Sequence, residues 1–353
     1  MARTYAQMQT LVLQMLQDTG LATYDATELG YWIEECLKDR DFNTAFPRII
    51  PVVFQIESRS GSDTAGTASS LTDTTKNQFV AGDATFEKVV HNTKDDTWAV
   101  ILVNSSTSVN TLSVNIMASG ESYEIYNKRC WNKKQIYIGD MPPYLWVDSV
   151  EYPIGKMRNW EVFDDVLEIK VDSVADSDST LATLTKIDVL VRFAVPHVLS
   201  QLTDWAGTLS ADALADATSI AVAGLGSTEI IEVGEEFHLE DHRSIYLVTT
   251  QVTTGVGTAT IAIYPPLEAA LATGKAITFV KSSLLPHQEE IFAHLVVARA
   301  VLSDNIRHIN SIPKGGQDTW SNYQTWAERK LAEVKDKLER SITPKSNRTY
   351  PTE

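Results

Sequence analysis

Apolar residues at helical spacing mark both ends of the chain. One face of the first predicted helix is formed by five apolar residues: Met8, Leu11, Val12, Met15 and Leu16. Their spacing of i, i+3, i+4, i+7 and i+8 is typical of an amphipathic helix with one buried face. Thr4 and Gln7 have the spacing of a capping box and predict the helix start, and Gly20 predicts its end. A second helix, with Trp32 on its apolar face, is predicted to begin at Asp25.

Two further helices are predicted near the C-terminal end. The first follows Pro286, because proline is favoured in the first turn of a helix, and Ile291, Leu295 and Leu302 lie on its apolar face. The second runs from about residue 317 to residue 341. Its apolar seam contains five residues: Trp320, Ala327, Leu331, Val334 and Leu338. Short amphipathic helices gain most of their stability from packing, so the helices of both ends are predicted to pack on each other or on a neighbouring copy.

The middle of the chain predicts β-structure. Short alternating runs separated by turn residues occur within residues 58–127 and again within 206–283, where Thr258–Tyr264 and Ala276–Val280 are examples. Residues 58–76 are rich in Ser, Thr, Gly and Asp, which predicts a loop. Longer strands are predicted between the two groups.

The two groups of short strands are candidates for a degenerate repeat. Each contains a turn in which glycine precedes an acidic residue, Gly82-Asp83 in the first and Gly234-Glu235 in the second. Each also ends in an apolar strand. Internal similarity of this kind is typical of duplicated units, although any two small β-meanders share some of these features.

These patterns together predict an α+β fold. Terminal helices form a helical bundle, a mixed β scaffold joins them, and two small β-barrel or meander domains are inserted. The predicted boundaries are a helical bundle scaffold of residues 1–57 and 284–342, a first inserted β-domain of 58–127, a β-rich scaffold segment of 128–205, a second inserted β-domain of 206–283, and an extended C-terminal arm of 343–353.

Charge and composition narrow the possible functions. The 353 residues include 30 Lys or Arg and 46 Asp or Glu, so the formal net charge is −16. A protein that wraps duplex DNA needs a basic surface, so general nucleic-acid binding is disfavoured. No apolar run approaches the roughly 18 residues of a membrane span, and the first residues do not resemble a secretion signal. Two cysteines, Cys36 and Cys130, are too few for a disulfide framework or metal site. We therefore expect a soluble, acidic, intracellular protein.

Sequence motifs of common catalytic sites do not occur in the chain. Gly274-Lys275 lacks the upstream glycine of a phosphate-binding loop, and neither a nucleophile elbow nor a His-Glu-x-x-His motif is found. The closest candidate for a metal site is His238, Asp241 and His242. These residues lie at the tip of a predicted hairpin, where a solvated turn is the simpler interpretation. We predict no catalytic, cofactor-binding or metal-binding residue, and hence a protein that is not an enzyme.

Several stretches, in their order along the chain, resemble the head-to-tail adaptor (connector) proteins of tailed bacteriophages. The matching features are the helix pair at 5–18 and 25–40, the segment VDSVEYP at 147–153 followed by Trp160, the segment VRFAVPH at 191–197, and the helix at 291–302 followed by the charged helix at 320–340. The segments DTTKNQF at 73–79 and IMASGESY at 116–123 resemble β-modules inserted in phage virion proteins. Small adaptors are mainly the helical bundle, so the two β-insertions set this chain apart.

The resemblance implies a homo-oligomeric ring, usually a dodecamer, in the neck of the virion between the capsid portal and the tail. Such a ring binds the portal protein and a downstream tail or neck protein after assembly in the host cytoplasm. It extends the channel through which genomic DNA passes without sequence-specific binding, and an acidic channel wall repels phosphates and lets the DNA slide. The resemblance implies no catalytic residue, cofactor or membrane contact.

Two sets of residues are candidates for contacts in such a ring. The helices that pack in the ring carry seven apolar candidates: Leu11, Met15, Ile291, Leu295, Leu302, Trp320 and Leu331. The arm carries candidates for contact with the portal or a neighbouring subunit: Ile342, Lys345, Arg348 and Tyr350. Pro344 and Pro351 prevent a helix here and favour extended backbone.

Other functions remain open from the sequence. The chain is alternatively another neck or tail component, such as a stopper or a tail-tube-proximal protein. It is alternatively a virion protein whose β-insertions bind host glycans. Separately, six aromatic residues can form either a sugar platform or, more simply, a β core: Trp131, Tyr137, Tyr144, Trp146, Tyr152 and Trp160. A metal- or carboxylate-dependent hydrolase is the remaining alternative.

Overall fold

The structure, a computed structural model, is a mixed α+β protein, as the sequence predicts. It describes residues 3–18, 24–141, 143–175, 187–199, 206–231, 233–280, 282–307 and 319–342. The described helices are α1 (Tyr5–Leu16), α2 (Ala26–Leu37), α3 (Arg40–Ala45), α4 (Gly82–Thr85), α5 (Pro286–Arg307) and α6 (Thr319–Ser341).

Local capping fixes the start of the first two helices. The backbone N–H of Gln7 donates to the hydroxyl of Thr4 at 3.3 Å, and the Thr4 N–H donates to the Gln7 side chain at 3.0 Å, so the predicted capping box is confirmed. Asp25 caps α2 as predicted. The predicted end at Gly20 is wrong, because α1 already ends at Leu16 and Gln17 adopts the left-handed conformation with φ 55°.

Helices from both ends of the chain pack in one layer, here called the helical layer (α1, α2, α3, α5 and α6). Helix α5 contacts α1, α2 and α6. The layer buries one apolar cluster whose members come from every helix: Met8, Val12, Leu29, Ile33, Phe42, Phe292, Val296, Val334 and Leu338. The apolar stripes predicted from the sequence are therefore covered within one chain.

The central sheet lies next to the helical layer. Its strands are β1 (Arg48–Gln55), β8 (Gln135–Tyr137), β9 (Trp146–Glu151), β10 (Met157–Phe163), β11 (Val166–Lys170) and β12 (Asp188–Val195), in the spatial order β1-β12-β9-β10-β11-β8. The predicted division placed residues 48–55 with the helices, which is wrong. Ile50 and Val52 alternate with less buried residues, and Pro51 is tolerated because β1 is an edge strand. The sequence pattern did not predict β10.

The first β-module comprises residues 60–126. Its strands are β2 (Ser60–Ser62), β3 (Ser70–Thr72), β4 (Val89–Asn92), β5 (Thr97–Ser106), β6 (Val109–Leu112) and β7 (Ser122–Tyr126), in the spatial order β2-β7-β4-β5-β6-β3. Strands β2 and β3 lie in the segment that the sequence predicted as a loop, so that prediction is wrong. Their Ser, Gly and Thr residues lack an apolar alternation, and main-chain pairing with β7 and β6 forms the strands instead.

The second β-module comprises residues 206–280 and forms a closed barrel. Its barrel strands are β13 (Ala206–Leu209), β14 (Ser219–Ala223), β16 (Glu236–Leu239), β17 (Ile245–Val248), β19 (Thr258–Tyr264) and β20 (Ala276–Val280), in the order β13-β14-β19-β17-β16-β20. Strands β15 (Ile230–Ile231) and β18 (Val252–Thr253) form a separate pair.

Both β-modules have the same strand order. When the six strands of each module are counted along the chain, their spatial order is first, sixth, third, fourth, fifth, second. All pairs are antiparallel, and the second module adds a pair between its first and second strands. The predicted repeat is therefore supported at the level of topology. The two Gly–acidic pairs differ, because Gly82 and Asp83 lie in α4, whereas Gly234 and Glu235 directly precede β16.

Candidate functional site

Strand β1 attaches both β-modules to the rest of the chain through buried arginine–carboxylate pairs. Arg48, at the start of β1, forms an ion pair with Glu236 of the second module, and the two side chains are 8% and 3% exposed. Arg48 also donates to the carbonyl of Pro196 at 2.7 Å. A buried pair of this kind fixes orientation, because either charge alone is costly to bury.

The attachment of the first module is a larger network just beyond the end of β1. Arg59 donates to Glu57 at 2.8 and 2.9 Å and to Asp83 at 3.1 Å, and Lys88 lies 2.7 Å from Glu57. Burial alone raises the pKa of Glu57, but Lys88 and Arg59 outweigh it and lower that pKa to about 2. The carboxylates therefore stay ionised while buried.

Polar side chains also join the first and second strands of the first module. Asp63, directly after β2, accepts the N–H of Thr72 in β3 at 2.7 Å. The hydroxyl of Tyr123 donates to Asp73 at 2.7 Å and accepts from Gln78 at 2.7 Å. Asp63 therefore bridges the two strands whose counterparts pair directly in the second module, whereas Tyr123 joins β7 to the segment that follows β3.

A cleft of about 940 Å³ lies where the two β-modules and the central sheet meet. Its lining includes Phe86 of the first module, Tyr137 of the central sheet, and Tyr264, Pro265 and Pro266 of the second module. Open clefts of this size with ring-shaped side chains on their walls are typical of sites for small molecules or extended peptides.

The cleft is acidic on balance. Lys128 lies 2.9 Å from Glu87 and 3.8 Å from Asp140, so this one lysine forms ion pairs with two carboxylates. Asp216 and Glu268 also line the cleft, and within the described residues neither forms a salt bridge. Loss of solvent raises the pKa of Asp216, although Lys88 partly opposes the effect.

A cluster of three aromatic rings lies on the first module. The rings of His91 and Trp98 stack with centroids 4.0 Å apart, and the ring of Tyr126 lies 5.6 Å from Trp98 and 6.2 Å from His91. Trp98 is 38% exposed and Tyr126 is 4% exposed, so Trp98 is the ring of this pair that faces the solvent. The pattern of the sequence did not single out Trp98, because its ring becomes prominent through cross-strand pairing with His91.

His197 joins the helical layer to the chain segments that flank the second module. Its Nδ1 lies 2.8 Å from the hydroxyl of Ser283, and its Nε2 lies 2.7 Å from the carbonyl of Phe46. The imidazole is buried, and burial lowers its pKa to about 4. These contacts give His197 a structural role.

The helix residues predicted to pack in a ring lie mainly inside the helical layer. Leu295 is buried in its core, and four others pack against that core or its neighbour: Leu11, Met15, Ile291 and Leu331. Leu302 packs against a small adjoining cluster of Tyr24, Ala300, Val301 and Ala327. The side chain of Trp320 lies outside the described residues.

The predicted arm residues are mostly beyond the described part of the chain. Ile342 is 43% exposed after the end of α6. Lys345, Arg348 and Tyr350 lie outside the described residues.

The three residues of the candidate metal site have separate partners. Asp241 pairs with Lys275 at 2.6 Å, His242 contacts the hydroxyl of Tyr246 at 2.6 Å, and His238 is exposed on the barrel. Across the described residues, no group of three or more His, Cys, Asp or Glu side chains is placed to hold a metal ion. In the same part of the chain, no helix combines the length and apolarity needed to cross a membrane.

The aromatic residues proposed as a sugar platform do not form one surface. Tyr152 is buried in the core of the central sheet, and Tyr144 and Trp160 pack against that core. Tyr137 packs with Tyr126 and Cys130, whereas Trp131 is 52% exposed. The β-core interpretation holds for the residues that share these clusters.

Comparison with protein-family models, with curated proteins and with solved structures finds no match for this chain.

Proposed function

We propose that this chain is a structural virion protein, a head-to-tail adaptor that forms a ring beneath the portal of a tailed bacteriophage. The ring extends the DNA channel and provides the surface to which the tail attaches. In this proposal the terminal helices are the helical bundle scaffold of the ring, and the two β-modules are domains inserted in it. No reaction is assigned to the chain.

The observation that carries the proposal is the surface of the helical layer. Three large aromatic side chains stay exposed there, namely Tyr31 at 57%, Tyr323 at 53% and Trp326 at 44%. Tyr323 and Trp326 are three residues apart and therefore share one face of α6, whereas Tyr31 lies on α2. Aromatic residues are enriched in the centres of protein interfaces, so this face of α6 is suited to contact a second copy.

Charge supports a ring around DNA. Copies that meet through two different surface regions close into a ring when the rotation between them allows it. Each copy brings a formal charge of −16, so a ring has a strongly acidic surface. An acidic channel wall repels phosphates, and DNA then passes without being held.

Subunit counting with and without portal protein tests this proposal. Mass photometry of the full chain is expected to show a particle of about twelve subunits that binds portal protein, since closed symmetric rings are the form such contacts take. Replacing residues 206–281 by a short linker is expected to leave that count unchanged, because the helical layer lies outside the deleted segment. A full chain that stays monomeric with and without portal protein contradicts the proposal.

Another neck or tail component, a stopper or a tail-tube-proximal protein, is the nearest alternative. Such a component also forms a ring but binds a different partner protein. Binding to tail-tube protein and not to portal protein therefore distinguishes it from the adaptor.

Glycan binding is a second candidate function, favoured by the exposed ring of Trp98. Aromatic faces stack on sugar rings, and the exposed carboxylate of Asp96, 2.9 Å from His91, lies beside this ring pair. A glycan array probed with the full chain and with Trp98→Ala tests it. Glycan binding that is lost in Trp98→Ala supports this function. An array on which the full chain binds no glycan contradicts it.

A further inference from the structure

We infer that the outer face of α6 in one copy packs on the outer face of α2 in the next copy. The outer face of α6 is defined by four residues: Trp326, Arg329, Lys330 and Glu333. The outer face of α2, with its capping residue, is defined by four others: Tyr31, Glu34, Glu35 and Lys38. The inference rests on the proposed function, because it names the two surfaces through which copies meet in the proposed ring.

The outer face of α6 combines an exposed ring with an excess of positive charge. Trp326 is 44% exposed. Arg329, one turn further along, is exposed and forms no salt bridge within the described residues. Glu333 lies 2.9 Å from both Lys330 and Lys337, so two lysines share one carboxylate. This face is therefore cationic, although the whole chain has a formal charge of −16.

The outer face of α2 combines an exposed ring with an excess of negative charge. Tyr31 is 57% exposed. Glu34 is exposed and Glu35 is partly exposed, and neither forms a salt bridge with another described residue. Lys38, which caps the helix, is exposed as well. Two carboxylates outnumber one lysine here, so this face is acidic.

The two faces have the same spacing and opposite charges. Counted from the ring in each helix, positions i+3, i+4 and i+7 are negative, negative and positive on α2, and positive, positive and negative on α6. Positions at this spacing lie on one face of a helix and cover about 10 Å along its axis. When the two helices lie side by side in the same direction, ring meets ring, and each charged side chain lies level with an opposite charge.

A second copy is the occupant that this pattern favours. Within one chain Tyr31 and Trp326 both stay exposed, and among the described residues no salt bridge joins the charges of the two faces. Copies with a formal charge of −16 repel each other on average, so a contact between them needs a region where the local charges are opposite. Two complementary faces on different helices also give the head-to-tail contact from which a ring closes.

Charge reversal in the full chain, followed by mixing, tests the inference. One variant reverses the face of α6, Arg329→Glu with Lys330→Glu, and a second reverses the face of α2, Glu34→Lys with Glu35→Lys. In either variant alone, like charges meet at every contact. In an equimolar mixture every contact between the two variants again joins opposite charges, so a ring with equal numbers of both chains is expected.

The matched control is Lys335→Glu with Arg340→Glu. This variant changes the charge of α6 by the same amount as the first variant, at exposed positions that are not part of the outer face. Circular dichroism on heating checks that each variant is folded. If a reversed chain does not fold, glutamine at the same two positions removes the charges without reversing them, and a loss of about threefold in assembly is then expected.

Native mass spectrometry over a range of concentrations is the measurement. Each reversed variant alone is expected to raise the concentration at which half of the chains are assembled by at least about tenfold, since two exposed ion pairs support roughly that ratio. The mixture is expected to return to within about threefold of wild type, and the control is expected to assemble like wild type.

The inference alone is overturned if wild type forms a ring and the reversed variants assemble equally well. It is also overturned if both reversed variants lose assembly and their mixture does not regain it, or if the control loses as much as they do. A wild-type chain that stays monomeric contradicts the proposed function itself, and the inference with it.

Discussion

The two β-modules have the same strand order but are held together by different interactions. The second module closes through a main-chain ladder between β13 and β14, and sixteen buried apolar residues fill its core. In the first module β2 and β3 do not pair along a ladder; Asp63, directly after β2, accepts the N–H of Thr72 in β3, and one main-chain hydrogen bond joins Thr64 to the Thr72 carbonyl. One topology therefore tolerates two kinds of closure.

This difference predicts where each module is vulnerable. A ladder has many main-chain hydrogen bonds, and a change of side chain leaves them in place. A buried carboxylate depends on a few partners, and the loss of one partner lowers the stability of the fold strongly. The first module buries Asp63, Asp73, Asp83 and Glu121, each 6% exposed or less. Single polar substitutions are therefore expected to affect the first module more than the second.

The largest effect is expected from Arg59→Ala. This change leaves Glu57 and Asp83 buried with Lys88 as the remaining cation, and breaking a buried ion pair from one side costs about 3–5 kcal/mol. The opening free energy of strands β4 to β7, measured by hydrogen exchange with mass spectrometry, is expected to fall by that amount. Strands of the second module are expected to keep their protection.

Arg340→Ala provides the matched control for Arg59→Ala. Arg340 pairs with Asp336 at 2.9 Å, and its side chain is 78% exposed, so the expected loss is below about 1 kcal/mol. Equal losses for the two variants, or a loss of protection spread evenly over both modules, contradict the role given to Arg59.

A smaller effect in the same module is expected from Tyr123→Phe. The hydroxyl is buried between Asp73 and Gln78, so its removal takes one hydrogen bond from each of these buried side chains at a cost of about 1–3 kcal/mol. Tyr31→Phe, at a residue that is 57% exposed, is the control and is expected to change nothing measurable. If both variants unfold at the same urea concentration, the stabilising role given to the Tyr123 hydroxyl is refuted.

Acid is expected to weaken the contacts of His197, beside the second module, before it weakens the ion-pair network of Glu57 at the first module. The pKa of His197 is lowered from 6.5 to about 4, so the unfolded chain takes up a proton first and stability falls as the pH drops from 6.5 towards 4. The pKa of Glu57 is lowered from 4.5 to about 2, so its contribution is complete above pH 4.5 and is lost as the pH falls through 2.

The measurement is the unfolding free energy of wild type and His197→Gln at pH 7 and pH 5. Wild type is expected to lose at most about 2 kcal/mol more than the variant between these values, because one unit of pKa corresponds to about 1.4 kcal/mol. An equal pH dependence in both proteins shows that His197 is not the group responsible.

Periodicity predicts the elements whose side chains alternate or recur. The strands Thr258–Tyr264 and Ala276–Val280 have the predicted bounds, and the capping of α1 follows from Thr4 and Gln7. Strand β2 could not be predicted in this way, because Ser60–Ser62 has no apolar residue and forms through pairing with β7.

The attachment of the modules leaves no local signal in the sequence. Arg59 and Asp83 are 24 residues apart, and Arg48 and Glu236 meet only after the barrel has packed against β1. Helical periodicity identifies apolar residues that need a partner, but it does not say whether the partner is in the same chain. The structure supplies that partner within the chain for Leu295. The expected contact between copies is therefore assigned to the exposed aromatic side chains of the helical layer.

Native mass spectrometry of two paired variants tests most directly whether the helical layer, and not the β-modules, holds the copies together. Tyr323→Ser with Trp326→Ser alters the exposed face of α6, and Leu102→Ser with Val103→Ser alters an equally exposed part of β5 in the first module. The first pair is expected to reduce the ring to monomers, and the second pair is expected to keep the wild-type subunit count. A ring that survives the first pair and dissociates with the second contradicts the account.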